Sequence, residues 1–238
     1  MPQVILRAAC EADADAMLKI YTPYVACTCA SWEYEPPSAA VFAARVRAHL
    51  ADGFPWLLAE EEGTVLGYAY AGRLGERRGY DWDAETAVYL SAAAHRRHIG
   101  TALYTALLAL LRAQGYVNCY ALVTDPNPPS EAFHRRMGFS VAAHLPGAGY
   151  KQGQWVGLLY FHKALCAPPA QPLPPVPLCT LNGAQTAKIL KNAAQLCAAK
   201  QNAHPSAFGP KPAPTAPLCA GAQKAAPPPA RTESGDPS

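Results

Sequence analysis

The chain has 238 residues, 50% of them hydrophobic and 16% charged, with a formal net charge of +3. That composition excludes a disordered polyelectrolyte, and no apolar run approaches the ~20 residues that span a bilayer. The N-terminus MPQVILRAAC lacks a basic leader followed by a long apolar core, so a cytoplasmic protein without a secretory signal is expected.

Gln3–Arg7 reads as a short strand. From Glu11 to Tyr24, apolar residues at Ala16, Met17, Ile20, Tyr21 and Tyr24 have helical spacing. Ser38 follows two prolines and suits an N-cap. A second amphipathic helix follows through Phe42, Val46 and Leu50 and stops at Gly53. Trp56–Glu60 and Val65–Gly72 read as strands around a Glu61-Glu62-Gly63 turn. Glu85–Ser91 is a further strand. Ile99, Leu103, Ala106, Leu107, Leu110 and Leu111 then share one helical face, closed by Gly115. Tyr116–Val123 suits a buried strand. After the break from Pro126 to Pro129, Ser130 suits the cap of a short helix ending at Met137-Gly138. Val141–His144 and Val156–His162 complete the strands. The order β-α-α-β-β-β-α-β-α-β-β predicts a mixed α/β (α+β) domain with a single sheet of seven strands.

The domain is expected over 1–166, because composition changes after it. Of the 24 prolines, 15 follow Ala167. The part after Ala167 holds 6 basic and 2 acidic residues, a balance of +4, against 14 basic and 15 acidic before it, a balance of −1. The positive charge therefore belongs to the tail, and neither a nucleic-acid partner nor a membrane partner is expected. Residues 167–238 read as a Pro/Ala-rich, mostly disordered basic tail. Ala184–Lys200 has the makings of a lone helix with no adjacent partner. The eight cysteines include a C-x-C at Cys27–Cys29, too tight for a zinc half-site. The others are scattered, so free thiols and no metal are expected.

The segment ETAVYLSAAAHRRHIGTALY (Glu85 to Tyr104) carries the most chemistry. A strand enters a loop with Arg96, Arg97, His98 and Gly100, which opens a helix. Free backbone N–H groups and the helix dipole make such an opening a phosphate or pyrophosphate site. The plainer alternative is a solvated helix start with a few arginines.

The order of elements and HRRHIGTALY resemble the GNAT superfamily of N-acetyltransferases, whose phosphate loop reads Q/R-x-x-G-x-G/A. YDWDAETAVYL, GTALYTALLALLRAQGY, FHRRMGF, AGYKQGQW, FPWLLAEEEG and GYAYAG are similar to its phosphinothricin acetyltransferase branch. The resemblance covers Val4 to Lys163. It implies a mostly antiparallel sheet flanked by helices, acetyl-CoA as cosubstrate, a small primary amine as acceptor, and a possible homodimer. It makes Glu85 of DW-x-x-E the general base, since an alkylammonium must lose a proton before its nitrogen attacks a thioester. It gives Val88, Tyr89 and Leu90 backbone contacts to pantetheine and the thioester carbonyl. Arg96, Arg97, His98, Ile99, Gly100 and Thr101 match the pyrophosphate loop, and Asn127 a coenzyme A contact. His134 matches a general acid for the thiolate. Trp32, Arg77 and Tyr80 match residues of the acceptor pocket. Two departures stand out: His95 replaces Gln or Arg, and His98 replaces the first Gly of the loop. A basic residue of the branch is Gly75 here, with Arg73 and Arg78 nearby.

The expected activity is acetyl transfer from acetyl-CoA to the amine of a free amino acid or analogue, such as phosphinothricin or methionine sulfoximine, by direct attack. The alternatives are a protein or peptide N-acetyltransferase, and a non-catalytic CoA-binding scaffold motivated by His98.

Overall fold

The computed structural model describes residues 3–199 and forms the predicted elements in the predicted order. They are β1 (Ile5–Ala8), α1 (Ala14–Cys27), α2 (Ala39–Ala51), β2 (Trp56–Glu61), β3 (Thr64–Arg73), β4 (Asp83–Leu90), α3 (Ile99–Gln114), β5 (Asn118–Asp125), α4 (Pro128–Arg136), β6 (Ser140–Lys151), β7 (Gln154–Ala164) and α5 (Gly183–Ala199). The strands form one sheet in the order β1-β2-β3-β4-β5-β7-β6. Every pairing is antiparallel except β4 with β5.

Side-chain alternation along β3 and β4 sorts the core into two layers. Tyr68 and Tyr89 face α1 and α2, where Met17, Val25, Phe42, Val46 and Trp56 bury. Ala69, Ala71 and Ala84 face α3, whose predicted stripe Ile99, Leu103, Ala106, Leu107, Leu110 and Leu111 is fully buried. Small alanines on the sheet give the α3 leucines room to approach. Ser38 caps α2 by accepting from the Val41 N–H at 3.3 Å. Gly115 ends α3 in the left-handed conformation.

Two local expectations need correction. The cap of α4 is Asn127, which accepts from the Ser130 N–H at 3.3 Å, and the helix begins at Pro128. Proline suits the first helical turn because its missing N–H would be unpaired there. The sixth strand runs to Lys151, well past His144, with two bulges along it. Residues 145–149 (LPGAG) carry no strand signal of their own; they form the second bulge, with Gly147 in the left-handed conformation, and pairing with β7 resumes at Gly149.

The larger correction concerns the tail. Packing does not stop at 166, and the helix expected without a partner lies against α3 and β1. Ala193 and Cys197 are each 3% exposed, with Ile189, Leu190 and Leu196 packed against the same core. Ile189, Ala193 and Cys197 recur every four residues, the stripe that a docked helix needs. The proline-rich connection is tied down by hydrogen bonds. Gln114 Nε2 donates to the carbonyls of Gly53 (3.0 Å) and Val176 (2.8 Å). The Val176 N–H returns a bond to Gln114 O, and the Leu178 N–H reaches Gly53 O. Trp82 Nε1 donates to Leu173 O at 2.8 Å. An extended proline-rich chain has no internal hydrogen bonds, so its free carbonyls accept such donors. Residues 200–238 lie outside the described residues, and with them the rest of the expected tail. Among the described residues no helix is long and apolar enough to cross a membrane, and no cluster of His, Cys, Asp and Glu is placed to hold a metal ion.

Candidate active site

The parallel pairing of β4 with β5 ends early. It joins Asp83, Ala84 and Glu85 to Asn118, Cys119 and Tyr120. Beyond Glu85, β4 stays on β3 as far as Leu90, while β5 continues on β7. The two strands therefore part, and a cleft of about 820 Å³ opens between them. It is lined along β4 by Glu85 to Leu90 and along β5 by Ala121 to Thr124.

Alternate residues of a strand direct their backbone groups to opposite neighbours. Leu90 turns its N–H and C=O away from β3, onto the Tyr24 hydroxyl, at 3.3 and 2.7 Å. Val88 has the same parity, so its N–H and C=O open into the cleft. Tyr89 does not: its backbone faces Tyr68 on β3, and it lines the cleft with its ring. Tyr89 thus offers the cleft no free backbone group, against expectation.

The loop after β4 forms the far end of the cleft. Arg96, His98, Ile99, Gly100 and Thr101 all line it. A Cβ at Gly100 would meet Leu90 Cδ1 at 3.3 Å and Phe133 at 3.4 Å, so glycine lets α3 start hard against β4. Arg97 departs from expectation. Its guanidinium turns away to Glu61 on β2 and supplies no side-chain charge to the cleft. His98 takes the left-handed conformation, φ 59°, and so does Arg96, φ 64°. This is the backbone that the family's glycine allows freely and that costs another residue ~1–2 kcal/mol. His98 holds that strained conformation with its side chain exposed. His98→Gly is therefore expected not to lower the melting temperature, and to change acetyl-CoA affinity by less than about tenfold in calorimetry.

Glu85 sits where the strands part and is half-buried. Burial alone raises its pKa above the usual carboxylate value, and no ion pair among the described residues offsets that. A carboxylate left without a partner in a cleft is a strong proton acceptor.

His134 is 4% exposed. Its Nδ1 lies 2.8 Å from the Ser130 carbonyl, which only accepts, so Nδ1 carries a proton. Nε2 lies 3.1 Å from the Tyr104 hydroxyl, which lies 3.3 Å from Thr86 Oγ1; Thr86 in turn donates to Tyr120 O at 3.0 Å. Burial lowers the His134 pKa, opposed by the Ser130 carbonyl. A neutral ring with its proton on Nδ1 leaves Nε2 as an acceptor facing the Tyr104 hydroxyl, whose single proton is shared between Nε2 and Thr86 Oγ1, so Nε2 carries no proton for a departing thiolate. Thr86 and Tyr104 escaped the sequence reading because each looks like an ordinary strand or helix residue. Only the parting of β4 and β5 gives their hydroxyls a place.

Asn127 lines the cleft while its Oδ1 caps α4. Trp32 lines it too, 38% exposed, with Ser31 and Tyr70. Arg77 and Tyr80 do not. Arg77 is exposed ahead of a short 3₁₀ turn, and Tyr80 lines a separate depression beside Asp81 and Pro174–Pro177. Arg73 and Arg78, the nearby alternatives, both lie against Asp81, at 3.5 and 3.8 Å. The β3–β4 connection thus folds toward the proline strap, whose place the sequence did not reveal.

A seven-stranded mixed sheet with one parted parallel pair, a helix opening on the cleft and a buried carboxylate at the fork define an acetyltransferase fold. The chain matches the acetyltransferase (GNAT) domain family over residues 6–158 and belongs to it. It is 38% identical to the phosphinothricin N-acetyltransferase of Streptomyces viridochromogenes over 175 residues, 73% of this chain and 94% of that one. It is 33% identical to an L-methionine sulfoximine/L-methionine sulfone acetyltransferase of Pseudomonas paraeruginosa, over 65% of this chain and 91% of the relative. A GNAT superfamily phosphinothricin acetyltransferase of Sinorhizobium meliloti, solved in complex with acetyl-CoA, aligns with a TM-score of 0.69 at 32% identity, over 72% of this chain and 94% of that one. The protein is an N-acetyltransferase of this family, and the proline strap and α5 lie beyond the matched region.

Proposed function

We propose that the protein acetylates the primary amine of a free amino acid or analogue of the phosphinothricin and methionine sulfoximine type, with acetyl-CoA as cosubstrate. The observation that carries this reading is the fork at Glu85, where an unpaired, half-buried carboxylate adjoins an open strand edge. When bound, acetyl-CoA supplies the acetyl group as a thioester. The exposed backbone of Val88 and the opening turn of α3, with Arg96, suit its amides and phosphates. Glu85 takes the proton from the acceptor's ammonium and frees the nitrogen lone pair. Trp32, Ser31 and Tyr70 shape the acceptor end. His134, neutral and bonded at both nitrogens, holds Tyr104 and Thr86 at the fork, and the leaving thiolate takes its proton from water.

Thiol release from acetyl-CoA with a panel of free amino acids, phosphinothricin, methionine sulfoximine and a short peptide tests the reading. Turnover with the amino-acid analogues and not with the peptide is the expected result. Turnover with the peptide alone, or acetyl-CoA binding without turnover, overturns it. We also propose a cytoplasmic location, in line with the buried free thiols of Cys119 and Cys197. Pairing of two copies through the edge strand β6 is part of the same proposal. Nearly all of that strand is exposed, and Trp155 beside it is 71% exposed. Light scattering that finds a monomer removes the pairing and leaves the chemistry intact.

A further inference from the structure

The segment AGYKQGQW, one of those that mark the resemblance, contributes nothing to the cleft lining. Its Lys151 is nevertheless 2% exposed. Burying an ammonium is expensive unless its donors are used, and here they go to two backbone carbonyls far away in sequence. Nζ donates to Val25 O at 2.9 Å and to Ser31 O at 2.6 Å. Val25 lies in the last turn of α1, where unpaired carbonyls and the negative end of the helix dipole favour a cation. Ser31 belongs to the irregular segment between α1 and α2 that carries Ala30, Ser31 and Trp32 to the cleft.

The two residues before Lys151 hold the same segment. The Tyr34 hydroxyl donates to Tyr150 O. The Trp32 ring lies against Gly149, in space that a Cβ there would occupy. Gly149, Tyr150 and Lys151, three consecutive residues of β6, thus grip Trp32, Tyr34 and Ser31. A loop without ladder bonds keeps one position only if tertiary bonds offset its entropy, and here β6 supplies them.

We propose that Lys151 is a positioning residue for acceptor recognition: through Ser31 O and Val25 O it fixes the loop that sets Trp32 at the acceptor end of the cleft. The proposal rests on the acceptor reading above. It separates the two substrates, because acetyl-CoA meets β4 and the start of α3, which Lys151 does not touch.

The test uses the full chain with Lys151→Met, a side chain of similar length without charge or donors. KM for phosphinothricin or methionine sulfoximine is expected to rise about tenfold or more, with kcat changed much less. Acetyl-CoA affinity by calorimetry should stay within about twofold. Amide exchange should quicken in 28–34 and not in 86–90. Trp32→Ala should raise the same KM, and the double variant should fall short of the product of the two effects, since both act through one loop. An unchanged acceptor KM, or acceptor KM and acetyl-CoA affinity worsening together, overturns the proposal. Should Lys151→Met fail to fold, Gly149→Ala displaces Trp32 and keeps the ammonium; an unchanged KM there overturns it equally. If wild type transfers no acetyl group to any amino acid, the function reading has failed, and unaltered exchange in 28–34 of Lys151→Met would then show that the grip itself is absent.

Discussion

Glu85→Gln is expected to cut turnover by about 10²-fold or more, the usual scale of a lost general base, while acetyl-CoA affinity stays within about twofold. The amide keeps the shape of the side chain and removes only its capacity to take a proton. The same carboxyl sets the pH dependence. Its pKa is raised by burial, so activity should fall as pH drops through a value above the usual carboxylate range and should be restored on the alkaline side. The sign for stability is opposite. A carboxyl whose pKa is higher folded than unfolded favours the fold when protonated, and that contribution is lost as pH rises through the folded pKa. Near neutrality the ionised Glu85 therefore destabilises the protein, and Glu85→Gln should raise the melting temperature as it lowers activity. An inactive variant that melts earlier than wild type would point to a structural role; a fully active one would remove Glu85 from the mechanism.

A chain ending at Leu165 is expected to lose stability on the order of 3 kcal/mol or more, from apolar burial of ~1.5–3 kcal/mol per large side chain, discounted for partial exposure. The cut removes Leu178, Leu181, Ile189, Leu190 and Leu196 from the core and the strap carbonyl that Gln114 Nε2 binds. For a marginally stable domain that is a large share of the total. The Gln114 Oε1 already has no hydrogen-bond partner, and losing the strap takes one of the two acceptors of Nε2, leaving Gly53 O. A chain ending at Ala199 keeps the strap and α5 and should melt above the shorter form. Equal melting temperatures for the two truncations would show that α5 contributes nothing. Activity of the shorter form at low temperature should persist, because none of the cleft lining comes from beyond Arg136.

Both predictions mark the line between what the sequence determines by itself and what needed tertiary structure. The sequence determines the kind and order of the elements through 164, though not the course of β6 past His144, because hydrophobic periods of 3.6 and 2 are local signals. The α3 stripe from Ile99 to Leu111 is the clearest case. It also determines the place of Glu85 and of the loop up to Gly100, because strand, loop and helix start are contiguous there. At His98 the backbone takes the left-handed conformation that a glycine allows, although the residue is a histidine.

What the sequence did not determine depends on partners distant along the chain. Arg97 looks like a phosphate ligand until Glu61 is placed beside it. His134 looks like an acid until Ser130 and Tyr104 occupy its nitrogens. Arg77 and Tyr80 belong to a connection whose course follows the strap, and the strap has no period to read. Helix α5 shows its stripe of Ile189, Ala193 and Cys197, but only the exposed face of α3 decides that it docks. Lys151 is the extreme instance: a lysine reads as surface, and its burial follows from carbonyls of Val25 and Ser31, more than a hundred residues away. Local pattern fixes elements because neighbouring backbone and side chains set it. A buried charge or a docked helix is fixed by which distant groups can satisfy it, and only the assembled chain brings those together.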